Sequence, residues 1–204
     1  MPKLRCVWSL ALGAGLLLAG CGPQASIPQG VQVFFSPKGG ATEAVVNALD
    51  QATNNVLVQA YSFTSAPIAK ALVDAHRRGV KVQVILDHSQ RTEKYSEADF
   101  LKNSGMPTLI DAQHAIAHNK IMILDDSIVL TGSFNFTRSA EEHNAENLLV
   151  INDPVLAKQY IENWHAHEQH SEAYEREGTP AAMKSEDRNP KAERRPKSEI
   201  RILH

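Results

Sequence analysis

His118-Asn119-Lys120-Ile121-Met122-Ile123-Leu124-Asp125, then Asp126-Ser127, then Ile128-Val129-Leu130-Thr131-Gly132-Ser133-Phe134-Asn135, is two apolar runs of strand length joined at a polar pair. In an extended strand, residues two apart project from the same face. His118 and Lys120 therefore form one polar pair, and Ser133 and Asn135 another. With Asp126-Ser127 as a two-residue hairpin turn, Asp125 faces Ile128, Lys120 faces Ser133 and His118 faces Asn135. The expectation is a single pocket holding all four side chains.

Outward from this hairpin, Val31 to Phe35, Val56 to Tyr61, Val80 to Leu86, Thr108 to Ile110 and Asn147 to Ile151 read as further strands. Helical spacing appears in Thr42 to Ala52, with Ala44, Val45, Ala48 and Leu49 on one face. Pro67 opens a helix to about Arg78 with Ile68, Ala71, Leu72 and Ala75 inward, and Gly79 stops it. A charged loop, Asp87 to Lys94, precedes a short helix near Ser96 to Asn103. Asp153 caps a last helix to about His170, turning Leu156, Tyr160, Ile161 and Trp164 inward. Strands and helices alternate early and strands cluster later. The expected class is α/β: one domain, residues 31–176, with a mixed β-sheet flanked by helices.

The ends have a different character. Lys3 and Arg5, an apolar run from Cys6 to Leu18 and then Leu18-Ala19-Gly20-Cys21 form an export signal over residues 1–20. The small residues ending in cysteine resemble a bacterial lipobox. That resemblance implies cleavage before Cys21, acylation of its thiol and anchoring of the exported chain to the cell envelope, on the periplasmic side or the cell surface. Residues 21–30 read as a linker. Residues 177–204 hold seven Lys or Arg, five Asp or Glu and three Pro, with no aromatic residue, and read as a disordered charged tail. Both cysteines fall within the first 21 residues, which excludes a disulfide framework for the domain. The whole chain has a formal charge of −2 and each end segment carries +2, so residues 22–176 stand at −6. That excludes a protein that coats nucleic acid by bulk positive charge.

An ammonium, a hydroxyl, an amide and the N–H groups beside a glycine make a donor-rich pocket suited to phosphodiester oxygens. Neutral imidazole attacks phosphorus without first losing a proton, so His118 is the candidate nucleophile. A carboxylate behind the ring would fix its tautomer, and Glu146 is the candidate. This chemistry needs no cofactor and no metal. Of His165, His167 and His170, only the last two share a helix face, and no set of carboxylate and histidines visibly completes a metal site. His114 and His143 flank the motif, and Arg91, Lys94 and Arg138 are candidates for contacts to an extended substrate. An aromatic such as Tyr61 or Phe63 is more often core than a stacking platform.

The pattern H-x-K-x4-D-x6-G-S-x-N resembles the HKD motif of the phospholipase D superfamily. Phe34-Phe35-Ser36-Pro37, Ala60-Tyr61-Ser62-Phe63-Thr64, Gly132 to Thr137 and Glu146-Asn147 look like its small, single-motif, Nuc-type bacterial endonuclease branch. The resemblance covers about Val31 to Tyr174. It implies a phospholipase D-like sandwich and a phosphohistidine on His118. It further implies that Lys120, Ser133 and Asn135 bind the phosphate, that Glu146 bonds the imidazole and that Asp125 is mainly structural. A histidine nucleophile also needs a separate acid for the leaving oxygen. This chain has one motif where other members have two, so the expectation is a homodimer with a shared active site. Nucleic acid is the first expected substrate. Phospholipid is the alternative, favoured by the anchor on Cys21 and the acidic body. A non-catalytic phosphate-binding module of the envelope is the remaining reading.

Overall fold

The computed structural model describes residues 30–176, so the export signal, Cys21, nearly all of the linker and the charged tail lie outside the described residues. Among the described residues eight strands form one sheet: β1 (Gly30–Ser36), β2 (Asn55–Ala60), β3 (Lys81–Asp87), β4 (Thr108–Asp111), β5 (Lys120–Leu124), β6 (Ile128–Gly132), β7 (Glu146–Asn152) and β8 (Glu172–Ala173). Their order is β1-β7-β6-β5-β2-β3-β4-β8. Pairs β2/β3 and β3/β4 are parallel and the others antiparallel. The expected mixed sheet flanked by helices is therefore observed.

Helices α1 (Ala41–Gln51), α2 (Ala66–Arg77), α3 (Ala98–Asn103), α4 (Arg138–Glu142) and α5 (Pro154–Glu168) cover the sheet unequally. The inward faces of α1 and α2 bury the apolar residues that their spacing predicts and form the larger core with Val56, Val58, Met122, Leu130 and Leu148. The opposite face, bearing Leu57, Ile85, Ile121, Ile123 and Val129, packs against α5. Trp164 is fully buried there and its indole N–H donates to the Val58 carbonyl at 2.9 Å. As expected, Asp153 caps α5, its side chain accepting from the N–H groups of Val155 and Leu156.

The register of the central hairpin differs from the expected one by a residue. Leu124 faces Ile128 and Met122 faces Leu130, so the loop holds three residues, Asp125 to Ser127, not two. Asp125 and Asp126 both adopt positive φ, a conformation that short polar side chains tolerate. The reason is the Asp125 carboxylate. It accepts from the N–H groups of Thr53, Asn54 and Asn55 and from the Thr53 hydroxyl, at 2.8 to 3.2 Å, which fastens the loop to the start of β2. Burial pushes the Asp125 carboxyl up, but these bonds outweigh it and hold the group below the usual aspartate value. Sequence reading also missed α4, β8 and a 3₁₀ turn at His88–Arg91 within the charged loop. All three are too short to carry periodicity.

Asp125→Ala is expected to cost about 2 kcal/mol, because several N–H groups lose their acceptor, lowering Tm by about 5 °C. Asp125→Asn, which keeps one acceptor oxygen, should cost less. The lowered carboxyl stabilises the fold above its unfolded pKa, and this contribution is lost as pH falls through the folded value. Calorimetric melting from about pH 7 to about pH 2 should show the wild type converging on Asp125→Ala at the acid end, below the usual aspartate range. Parallel melting curves would rule the role out.

Candidate active site

One edge of the sheet gathers the C-terminal ends of β1, β2, β3, β4 and β6 and the N-terminal ends of β5 and β7. His118 stands there just before β5 begins, exposed and outside the strand proper. Lys120, the first residue of β5, is buried. Its Nζ lies 2.7 Å from the His118 carbonyl oxygen and 3.1 Å from His118 Nδ1. The pair thus meets as expected, through curling of the chain rather than strand alternation. Burial pushes the Lys120 ammonium below the usual lysine value, while the Glu146 carboxylate acts to raise it.

Tyr61, the residue after β2, forms the other wall. Its ring lies 4.4 Å from the His118 ring and 5.1 Å from Lys120 Nζ, and its N–H donates to the Asn119 carbonyl. Tyr61 positions the imidazole, a role that sequence reading missed. The signal was its place directly after an internal strand. Phe63, by contrast, is core as expected, edge-on to Phe136.

Ser133 and Asn135 follow β6. Gly132 enters at φ +148°, and a Cβ there would collide with the Asn147 carbonyl oxygen, so only glycine lets the chain pass this close to β7. Ser133 Oγ accepts from the Asn147 N–H at 3.1 Å and from its side-chain amide at 3.3 Å. With both lone pairs engaged, the hydroxyl proton is left to donate outward. Asn147 sets that direction. The Asn135 Oδ1 is buried without a hydrogen-bond partner among the described residues, which leaves the amide N–H group as the donor for a phosphate oxygen.

One expectation needs correction. Glu146 does not bond the imidazole within this chain: its carboxylate accepts from the Asn144 amide at 3.3 Å, and Lys120 occupies the Nδ1 side of His118. Asp125, grouped with the catalytic positions by the motif, lies at the far end of β5, roughly 20 Å from His118 at the rise of a strand. It is structural, as the resemblance implied.

Beside the Ser133 to Thr137 segment opens a cleft of about 480 Å³ lined by Thr64, Tyr95, Arg138, Ser139, Glu142 and His143. Arg138 donates to Glu142 at 2.8 Å, Arg91 donates to Glu172 at 2.8 Å, and Lys94 lies over the Tyr95 ring. Further along the same edge, Asp111 and His114 meet His167 and His170. This is the carboxylate and third histidine that sequence reading did not find, because they arrive from β4 and the following loop.

Comparison with known proteins agrees with this geometry. A family model described as the cardiolipin synthase, PLD-like domain matches residues 45–167. A Rickettsia conorii protein named phospholipase D is 42% identical over 134 residues, 66% of this chain and 67% of its own length. The crystal structure of a phospholipase D family member, Nuc from Salmonella typhimurium, aligns with a TM-score of 0.68 at 42% identity, covering 71% of this chain and 97% of Nuc. NucT from Helicobacter pylori aligns with a TM-score of 0.66 at 26% identity, covering 71% and 98%. With His118, Lys120, Ser133 and Asn135 at one end of the strands and these relatives spanning the same fold, the chain belongs to the phospholipase D superfamily of phosphodiesterases, in the Nuc-like group with one motif per chain.

Proposed function

We propose that the protein hydrolyses nucleic-acid phosphodiesters as a homodimer, through a phosphohistidine on His118. The observation that carries the chemistry is the Lys120–His118 pair. A protonated lysine can only donate, so Nδ1 accepts and the ring proton sits on Nε2. Attack through Nε2 needs that proton on Nδ1. A phosphate that draws Lys120 onto its own oxygens releases Nδ1, so substrate binding itself readies the nucleophile. Glu146, whose charge already acts on Lys120, is placed to receive the released Nδ1–H in the bound state.

The Nε2 lone pair then forms the N–P bond as the P–O bond to the leaving oxygen breaks. Lys120, the Ser133 hydroxyl and the Asn135 amide bind the phosphoryl oxygens. The His118 of a second copy gives its proton to the leaving oxygen. It then takes one from the water that attacks phosphorus and frees the first ring. No step draws on a metal.

The second copy has a surface to meet. Val31, Val33 and Phe35, alternate residues of edge strand β1, are 64%, 50% and 63% exposed. Their register partners on β7 are Ile151, Leu149 and Asn147, and Ile151 in turn pairs with Val129, which packs under α5. The stripe therefore extends the α5-covered face onto strands where α5 does not reach, and it ends beside Glu146 and Asn147. Exposed apolar stripes of this kind mark interaction surfaces. We further propose that the chain is exported and anchored through Cys21.

The cleft beside the site carries Arg138 and His143, groups able to contact the phosphates of an extended strand, which supports nucleic acid. The charge of −6 over residues 22–176 and relatives named phospholipase D favour a second reading, a phospholipid substrate. Incubating the full chain in mild detergent with plasmid DNA, RNA and phosphatidylcholine vesicles in EDTA separates them. Nucleic-acid cleavage without choline release is expected. Choline release alone would exclude the nuclease.

A further inference from the structure

The Asp111 carboxylate is 0% exposed at the end of β4. Three imidazoles surround it. His114 Nδ1 lies 2.9 Å from Oδ2 and 3.1 Å from Oδ1, His167 Nδ1 lies 2.7 Å from Oδ2, and His170 Nε2 lies 3.4 Å from the same oxygen. The ring centroids are 4.9, 5.1 and 5.4 Å apart, and one donor atom from each of the four residues lies within 4.8 Å of the others. We propose that Asp111, His114, His167 and His170 form a binding site for one divalent transition-metal ion of the zinc class, separate from the active site.

The donor set argues for the ion. Three imidazole nitrogens and a carboxylate suit zinc and its first-row neighbours, whereas magnesium and calcium prefer oxygen ligands. Without a cation, one carboxylate must serve three rings, and the geometry falls short: His170 Nε2 is buried with no hydrogen-bond partner among the described residues. A cation at the centre satisfies all four groups at once. Tetrahedral bonds of about 2.0 to 2.2 Å place ligand atoms roughly 3.3 Å apart, so the widest pairs of the cluster need to close by up to about 1.5 Å. His114, at the rim, is the most exposed of the four and has room to turn inward.

Four protein ligands leave no open position, which makes the site structural rather than catalytic. It would tie the end of β4 and the loop after it to the last turn of α5 and to the residues that lead into β8, adding to the short β4–β8 pairing. That loop leads directly to His118. Asp87, the register partner of Asp111, already holds the loop by accepting from the Ala117 N–H at 2.8 Å. Cluster and nucleophile are three strand spacings apart, roughly 14 Å. The ion would fasten the segment that carries the nucleophile without touching the substrate.

The test uses the full chain in mild detergent, stripped with EDTA and dialysed. Calorimetric titration with zinc chloride should show one ion per chain with micromolar or tighter Kd. At about 100-fold excess over Kd, Tm should rise by about 5 °C. Cobalt should give the intense visible bands of a four-coordinate site. The double variant His167→Ala with His170→Ala should bind at least ~100-fold more weakly. His165→Ala, whose ring bonds Glu168 outside the cluster, should bind as the wild type does. No binding by the wild type, an octahedral cobalt spectrum, or unchanged affinity in the double variant would each overturn the site. The wild-type titration and spectrum decide even if the variant fails to fold.

Discussion

Replacing His118 with alanine is expected to lower turnover by at least about 10⁴-fold, because the nucleophile and the acid of the partner site vanish together. The fold should survive. His118 is exposed, and its ring leans on Tyr61 without filling a cavity, so Tm should move by about 2 °C or less. Two readouts separate catalysis from structure. Acid quenching of the wild type with a radiolabelled phosphodiester should leave acid-labile, base-stable label on the protein, and the variant should retain none. His165→Ala, an exposed histidine outside the site, should turn over within a few-fold of the wild type. A His118→Ala protein with intact activity would sink the mechanism and revive a phosphate-binding role without catalysis.

The second large effect concerns assembly. Changing both Val31 and Val33 to lysine places charge on the exposed stripe of β1 while leaving the core side of the strand untouched. Lysine on an edge strand is a natural device against pairing. At sub-micromolar concentration the variant should sediment as a monomer and lose about 100-fold in activity, with partial recovery as protein concentration rises. That recovery distinguishes a weakened dimer from a damaged site. Mixing provides an independent check. When equal amounts of wild type and His118→Ala exchange subunits, two-histidine sites form only in wild-type pairs, leaving about a quarter of the activity instead of half. A fully active monomer, or activity proportional to the wild-type fraction, would refute the shared site.

The two predictions draw on different levels of legibility. His118, Lys120, Ser133 and Asn135 were readable because their order and spacing repeat a known motif. Their mutual geometry was not. The hairpin register depended on whether the loop held two residues or three, and Asp125 decided that by capping the Thr53 to Asn55 turn, some seventy residues away in sequence. Local turn propensity carries no information about such an acceptor. Similarly, Tyr61 reads as a core aromatic until β2 and β5 pair and bring its ring against His118.

What the sequence determined by itself is the periodic skeleton and the chemical inventory. Alternation and helical spacing gave strands and helices whose buried faces are those observed, since burial of a face depends on the local pattern of apolar residues. The motif fixed which side chains carry the chemistry. Tertiary structure alone decided what meets across the sheet edge: the ammonium on the imidazole, Glu146 turned to Asn144, and three histidines gathered on Asp111 from two distant segments. These are contacts between strand ends and loops, where no periodicity operates. Their partners are set by the order in which strands pair, which is a property of the whole chain folded at once.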